Sequence, residues 1–450
     1  MQAEQIQKLL EQVKSDNVKF IALQFTDVYG AVKSVDIPIG HLPRALDEGI
    51  WFDGSSVEGF ARIQESDMRL VVDPSSYAVL PWSPEENKRA RFFCSIYQPN
   101  GEPFMGDPRN VLNQMLARVE EKGWIYNVGA EPEFFLFKRN GDHPGSIHPV
   151  PHDVGGYFDF SAGDEAVRVR TRIMNAVSSM GLNVEMGHHE VALGQHEIDF
   201  RFAPALEAAD NVVTLKYAVK AIAASMGLIA SFMPKPIGGI NGSGMHTHQS
   251  LFDKAGNNLF FDREDEHYLS KTGKQFIAGQ LAHARGMSAV LSPTVNSYKR
   301  LVPGYEAPVY IGWAQVNRSA LIRIPSASPE RSKSVRAELR CPDPSANPYL
   351  AFSVMLAAAL DGIENDLPCP EPLNDVNVYN LSPERREELG VTELPGSLAE
   401  ALTELEHDRA VQEGLGPVAY KSFKRAKWAE WEEYITNVTD WEVSRYLEVA

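Results

Sequence analysis

Acidic and histidine residues recur at alternate positions within short, strand-like segments of this chain, and that alternation limits what it can become. Glu131 and Glu133 stand in Gly129-Ala-Glu-Pro-Glu-Phe-Phe-Leu-Phe137, and His246 and His248 in Asn241-Gly-Ser-Gly-Met-His-Thr-His248. Arg336, Glu338 and Arg340 alternate in Arg336-Ala-Glu-Leu-Arg340, while Glu190 and Glu197 flank Gly194. Side chains at i and i+2 of a strand point to one face. Several such strands side by side would make a floor of carboxylates and imidazoles. Like charges this close cannot all stay ionised unless cations join them. The pattern therefore points to an enzyme that uses divalent metal.

The remaining composition narrows the partners. A formal charge of −17 over 450 residues argues against nucleic acid or an anionic membrane, both of which need a basic surface. Cys94, Cys341 and Cys369 are scattered, which suggests neither a disulfide framework nor a thiolate metal site and fits a reducing cytoplasm. The polar, amphipathic start of the chain lacks the apolar core of a signal peptide, and no stretch approaches the roughly 20 apolar residues of a membrane span.

Along the chain, residues 1–15 read as a helix, and strands over 18–25 and 31–35 flank a hairpin turn at Asp27-Val-Tyr-Gly30. Further strands over 69–72 and 91–97 complete a small β-rich unit that ends near Gln98-Pro-Asn-Gly101. Asp107-Pro108 then signals a helix start, running to about residue 122, before a strand over 127–137. Helices follow over 164–180, 204–227, 268–290, 345–364 and 396–411, with strands around 183–202 and 245–252. The Pro- and Gly-rich stretch 292–310 reads as a long functional loop, and an aromatic, acidic run covers Trp428 to Leu447.

Each polar cluster also has an ordinary reading. A lone Glu-x-Glu is usually an exposed strand end, but Phe134 to Phe137 imply a buried strand whose leading carboxylates need partners. Glu190 and Glu197 are seven apart, which puts them on opposite faces of a straight strand unless Gly194 bends it. His188 and His189 read as partly buried structural imidazoles. His246 and His248 could bind one metal or serve two ligands. Arg318, Arg323, Lys333, Arg336 and Arg340 fall within 23 residues, and several alternate with apolar residues as though pointing inward, which suits phosphate and carboxylate recognition. No Walker A loop or Gly-x-Gly-x-x-Gly is present, so a nucleotide would be held by metals and arginines.

Seven segments, taken together, resemble the type I glutamine synthetase family. They are Asp53-Gly-Ser-Ser56, Glu131-Pro-Glu-Phe-Phe135, His188-His-Glu-Val191, Asn241-Gly-Ser-Gly-Met-His246, Arg300-Leu-Val-Pro-Gly-Tyr-Glu306, Asn317-Arg-Ser319 and Arg336-Ala-Glu-Leu-Arg340. The resemblance implies an α+β fold: a β-grasp domain over 16–101 and a catalytic domain over 107–450, with an open barrel of antiparallel strands surrounded by helices. It implies ATP-dependent ligation of ammonia to L-glutamate through γ-glutamyl phosphate. It further implies two or more Mg²⁺ or Mn²⁺ ions per subunit, ATP as co-substrate, and a homo-dodecamer of two hexameric rings with shared active sites, which small regulatory proteins could bind. The acidic, aromatic C-terminal run would tie the rings together.

Carried onto this chain, the resemblance places one metal on Glu133, Glu190 and Glu197 and the other on Glu131, His246 and Glu338. Glu185, His248, Ser250, Arg318, Arg323, Lys333 and Arg336 would face ATP. Asn241, Gly242, Arg300, Glu306 and Arg340 would bind glutamate. Asp53 of an adjacent subunit would take ammonium's proton, Glu306 would close the site, and Arg318 would stabilise the moving phosphoryl group. The chain is similar to the shorter, glutamine-inhibited subtype, in which the position of Arg62 takes part in feedback. Tyr379 resembles a tyrosine adenylylated in the longer subtype, although its flanking residues depart from that pattern. The rival readings are a glutamate–amine ligase, which tends to lose the ammonium-site acids, and a non-catalytic relative.

Overall fold

The computed structural model describes residues 3–55, 57, 67–139, 149–160, 165–315, 317, 320–326, 328–374, 376 and 378–449; Arg62 and Arg318 lie outside them. Helix α1 (Ala3–Ser15) leads into β1 (Phe20–Thr26), which pairs antiparallel with β2 (Val32–Pro38). The expected hairpin turn forms because Asp27 Oδ1 accepts from the Tyr29 and Ala31 N–H groups while Gly30 takes φ +79°, a conformation glycine enters without penalty. Beyond the expected strands lie α2 (Leu42–Glu48) and β3 (Ile50–Asp53). Then come β4 (Asp67–Val72), β5 (Ala78–Val79) and β6 (Arg89–Tyr97). The sheet order is β2-β1-β6-β4-β3, with β5 also on β6; β1 and β6 run parallel.

Helix α3 (Pro108–Glu121) starts where Asp107-Pro108 suggests: the Asp107 side chain accepts from the Arg109 N–H, and proline fills a first-turn position that needs no donor. There follow β7 (Trp124–Lys138), α4 (Glu165–Ser179), β8 (Val184–His189), β9 (Gln195–Phe200), β10 (Ala203–Pro204), α5 (Ala205–Ser225), β11 (Leu228–Ser231) and β12 (Met245–Asp253). The helix expected over 268–290 is two, α6 (Lys271–Ala282) and α7 (Ala284–Leu291). They break at His283, whose ring nitrogens lie 3.0 Å from Asp361 and 2.9 Å from Asp408. The stretch 292–310 is not all loop: it holds the single turn α8 (Ser297–Arg300) and runs into β13 (Tyr310–Ile311).

Strands β14 (Trp313–Ala314), β15 (Ile322–Arg323) and β16 (Ala337–Leu339) precede the buried α9 (Pro348–Glu364). The tail holds α10 (Pro383–Glu388), β17 (Thr392–Glu393), α11 (Leu398–His407), α12 (Arg409–Ile435) and α13 (Asp440–Tyr446). The helix expected over 396–411 divides because Asp408 is extended and its side chain caps α12, accepting from the Val411 N–H. Helix α12, absent from the sequence reading beyond residue 411, kinks at Gly416-Pro417.

The second sheet runs β14-β15-β16-β12-β7-β9-β8, with β10 and β11 also on β7. Helix α9 packs against α6 so closely that a Cβ on Gly279 would sit 2.1 Å from the Ala358 carbonyl oxygen. The two sheets are joined through Arg109, which pairs with Asp73 at 2.6 Å and Asp210 at 2.9 Å, while the Tyr349 hydroxyl donates to Asp210.

Candidate active site

Strand register assembles the site. β7 pairs with β12 along Trp124–Pro132, then leaves it for β9 at Glu133. Glu131 therefore stands directly opposite His246, and Glu133 directly opposite Glu197. Two further rungs extend the row: His188 of β8 opposite Glu197, and Glu338 of β16 opposite both His248 and Arg323. Residues paired across antiparallel strands share a face, so the alternating acids and imidazoles meet on one floor.

Glu190 joins them from the turn between β8 and β9. The expectation of one bent strand is replaced by a hairpin, with Gly194 at φ +69°. His189 reads as structural, as expected, with Nε2 3.0 Å from Asp153. His188 does not merely fill space: its nitrogens lie 3.4 Å from Glu190 and 3.3 Å from Glu197.

His246 Nδ1 lies 4.0 Å from Glu131 and 3.8 Å from Glu338, too far for hydrogen bonds. Those spacings suit donors arranged about 2.1 Å from a shared cation. His248 is engaged differently. Arg336 Nε donates to its Nδ1 at 3.1 Å, which leaves the proton on Nε2, facing Glu131 at 2.9 Å.

The charges on this floor are uneven. Burial and the Glu190 carboxylate push Glu133 up to about 8. Burial likewise takes Glu190 to about 7, with Glu306 and Glu131 adding repulsion. Glu197 is raised well above its usual range by burial, then by Glu133 and Asp199. Burial also depresses the His246 imidazole, with Arg340 and Arg300 contributing.

Arginines form the opposite wall. Arg323 donates to Glu338, and Arg340 Nε lies 3.7 Å from the same carboxylate. Arg300 is anchored by backbone carbonyls: Nη1 donates to those of Cys341 and Pro342 and Nη2 to that of Arg340. The glycines before β12 make room for it, since a Cβ on Gly244 would come within 2.6 Å of Arg300 Nη2. Asn241 Nδ2 donates to Glu306 Oε2 at 3.1 Å, and Glu306 itself takes φ +58°. These groups enclose a polar cleft of about 250 Å³ that Gly242 and the acidic rungs also line.

Other expected residues stand outside the cleft wall. Glu185 and Lys333 are exposed, Ser250 is buried on β12, and Arg336 lies behind Glu131 with His248. Asp53 is exposed on β3, accepts from the Ser55 N–H, and does not line the cleft of its own chain. Gln195 and Asp199 were missed. The Gln195 amide donates to Glu133 at 2.6 Å and to the Gly242 carbonyl at 3.1 Å. Both residues alternate with Glu197 on β9, so the same spacing signal could have found them. Tyr157, also lining the cleft, comes from an irregular segment that carries no such signal.

A row of buried acids facing fixed arginines defines a site for anionic substrates held with divalent cations. Residues 17–99 match the family model of the glutamine synthetase beta-grasp domain, and residues 105–446 that of the glutamine synthetase catalytic domain. The glutamine synthetase of Methanosarcina mazei is 51% identical over 439 residues, covering 98% of this chain and 97% of that relative. That of Thermus thermophilus is 50% identical over 445 residues, covering 98% of each. A solved GmaS/ADP complex superposes with TM-score 0.87 at 33% identity, covering 98% of this chain and 99% of that one. The chain belongs to the glutamine synthetase family, and its activity is ATP-dependent glutamine synthesis.

Proposed function

We propose that the cleft performs this synthesis with two divalent cations, magnesium or manganese, one on Glu133, Glu190 and Glu197 and one on Glu131, His246 and Glu338. The carrying observation is the set of rungs that gathers these carboxylates and His246 into one cleft, three of the acids resisting ionisation unaided. Carboxylate oxygens with a single imidazole suit such ions. When bound, the cations neutralise the phosphates of ATP and favour an in-line transfer.

The chain's own groups do the rest. Arg300, rigid on its carbonyls, receives the α-carboxylate of glutamate; the Asn241-Gly242 backbone takes the amino end and Arg340 the reacting end. The γ-carboxylate attacks the γ-phosphate as ADP leaves, giving γ-glutamyl phosphate; ammonia then attacks its acyl carbon and displaces phosphate. Arg323 and Arg318 offset charge on the transferring group, with Glu185, His248, Ser250, Lys333 and Arg336 on the nucleotide side. Glu306 closes over the acyl phosphate and keeps water out.

Asp53 of a neighbouring copy binds ammonium and takes its proton, a role supported by its exposure away from its own cleft. This requires an oligomer, which we take to be a dodecamer of two hexameric rings. The exposed Trp441, Tyr446 and Leu447 of the tail would join the rings. The cysteines are unpaired, and the cytoplasm is the proposed compartment; among the described residues no helix is long and apolar enough to cross a membrane.

The test is phosphate release from ATP with Mg²⁺ and glutamate, ammonium against a panel of amines. The expected result is release that needs both glutamate and ammonium, with equimolar glutamine. Asp53→Ala should lose transfer to ammonia yet keep ATP and metal binding. Wild-type turnover in that variant would sink the ammonium role.

A further inference from the structure

Beneath the acidic rungs lies a second buried polar group that the reaction does not use: His152, Asp153, Arg170, His189 and His196. Asp153 is its hub. Its Oδ1 accepts from the Gly194 N–H at 2.7 Å and lies 3.0 Å from His189 Nε2; its Oδ2 lies 2.8 Å from His152 Nε2.

Donor atoms of His152, Asp153 and His196 converge as metal ligands do, but the protons do not allow it. Arg170 Nη1 donates to His196 Nδ1 at 2.8 Å. A guanidinium keeps its proton, so His196 carries its own on Nε2, facing His152 at 3.2 Å. A cation would need that nitrogen free, beside a fixed positive charge. The group is scaffold.

What it holds is the β8–β9 turn. Asp153 contacts His189 and Gly194, which lie on either side of Glu190 in the chain. His189 Nδ1 lies 2.7 Å from the Glu190 carbonyl oxygen, so the grip continues into the backbone of Glu190 itself. Gly194 is held from its other side as well, its carbonyl accepting from the Leu136 N–H of β7 at 2.8 Å. Gln195 and Glu197 follow directly. The turn closes on itself where the Glu190 N–H donates to the Gln195 carbonyl at 2.8 Å, and the Asp153 carboxylate fastens it to the scaffold at two further points.

We propose that Asp153 is a positioning residue that aims Glu190 and Glu197 and so sets the affinity of their cation site. This rests on the metal reading given above. The experiment is Mn²⁺ binding to the full-length protein without substrates, read from the EPR signal of free Mn²⁺. Wild type is compared with Asp153→Asn, Glu190→Gln and Glu338→Gln.

Asp153→Asn should weaken one class of site by about 10- to 100-fold, the usual effect of removing a group that orients a metal ligand. It should leave intact the class that Glu338→Gln loses, and kcat for glutamine synthesis should return at saturating Mn²⁺. A wild-type isotherm for Asp153→Asn, with a site lost in Glu190→Gln, overturns the positioning role and leaves the metal reading standing. An unaltered Glu190→Gln isotherm overturns the metal reading, and the positioning role with it. Weakening of both classes together, or kcat that metal does not restore, means a general structural role and also overturns the proposal. Should Asp153→Asn fail to fold, His189→Asn removes part of the same grip and should weaken the same class by about 10-fold.

Discussion

Glu131 and Glu133 stand two residues apart on one strand, yet they meet opposite surroundings. Around Glu131, burial would raise the carboxyl, but His248, Arg336 and Arg323 outweigh it and hold the group below its usual range. Around Glu133, burial and Glu190 win over Arg300 and Arg340. The cause is the neighbouring strands. β12, β15 and β16 bring an imidazole and guanidinium groups; β9 and the turn before it bring Glu197, Asp199 and Glu190. On one half of the floor the chain's own guanidinium groups offset the acids, and on the other half the acids face one another.

The sharpest way to break that contrast is Glu197→Gln. It removes a buried carboxyl that folding holds protonated against its ordinary preference, so the metal-free protein should melt at a higher temperature than wild type. Glutamine synthesis should nevertheless fall by at least about 100-fold as a proposed metal ligand disappears. Calorimetry with and without Mg²⁺ reads both halves, and a wild-type-sized metal-induced rise in Tm would count against the comparison. On the self-neutralised half the sign should reverse. Arg323→Ala takes the nearer guanidinium from Glu338, which is 2% exposed, and leaves Arg340 at 3.7 Å; it should destabilise by about 3 kcal/mol in urea titration, and a more stable variant would contradict it.

His283 extends the comparison to an acid pair that does not line the cleft. Burial lowers its imidazole, but hydrogen bonds to Asp408 and Asp361 prevail and raise it to about 9. A raised basic pKa stabilises fully below the unfolded value near 6.5 and is lost as pH climbs through 9. Allowing for partial solvent screening, unfolding free energy should drop by about 1–2 kcal/mol between pH 6 and pH 9.5. His283→Gln should flatten that part of the slope.

The smallest effect concerns Tyr379, whose hydroxyl donates to the Ala307 carbonyl at 2.6 Å, next to Glu306. Tyr379→Phe removes one hydrogen bond, worth about 1 kcal/mol. The looser Glu306 segment should let more phosphate appear than glutamine. A strict one-to-one ratio would show that this tie does not steady Glu306.

Much of the site was legible because strand alternation is local. Glu131 and Glu133, or Glu338 and Arg340, share a face wherever the strand is placed. The misreadings come from contacts distant in sequence. The 268–290 helix breaks at His283 beside Asp361 and Asp408, residues 78 and 125 positions away. The hairpin between Glu190 and Glu197 is pinned by Asp153, which no nearby pattern links to it. Helix α12 starts from a cap at Asp408 and packs under α9, so its stability comes from tertiary burial as well as propensity.

By itself the sequence determined which side chains travel together: the two-residue period of strands, the Asp107-Pro108 helix start and the Asp27–Gly30 turn depend only on neighbours along the chain. Only the tertiary structure decided which strands meet, and hence which acids are matched by arginines and which are left facing one another. Register is a long-range choice, and a shift of one residue would have turned a strand's acids and imidazoles away from the cleft.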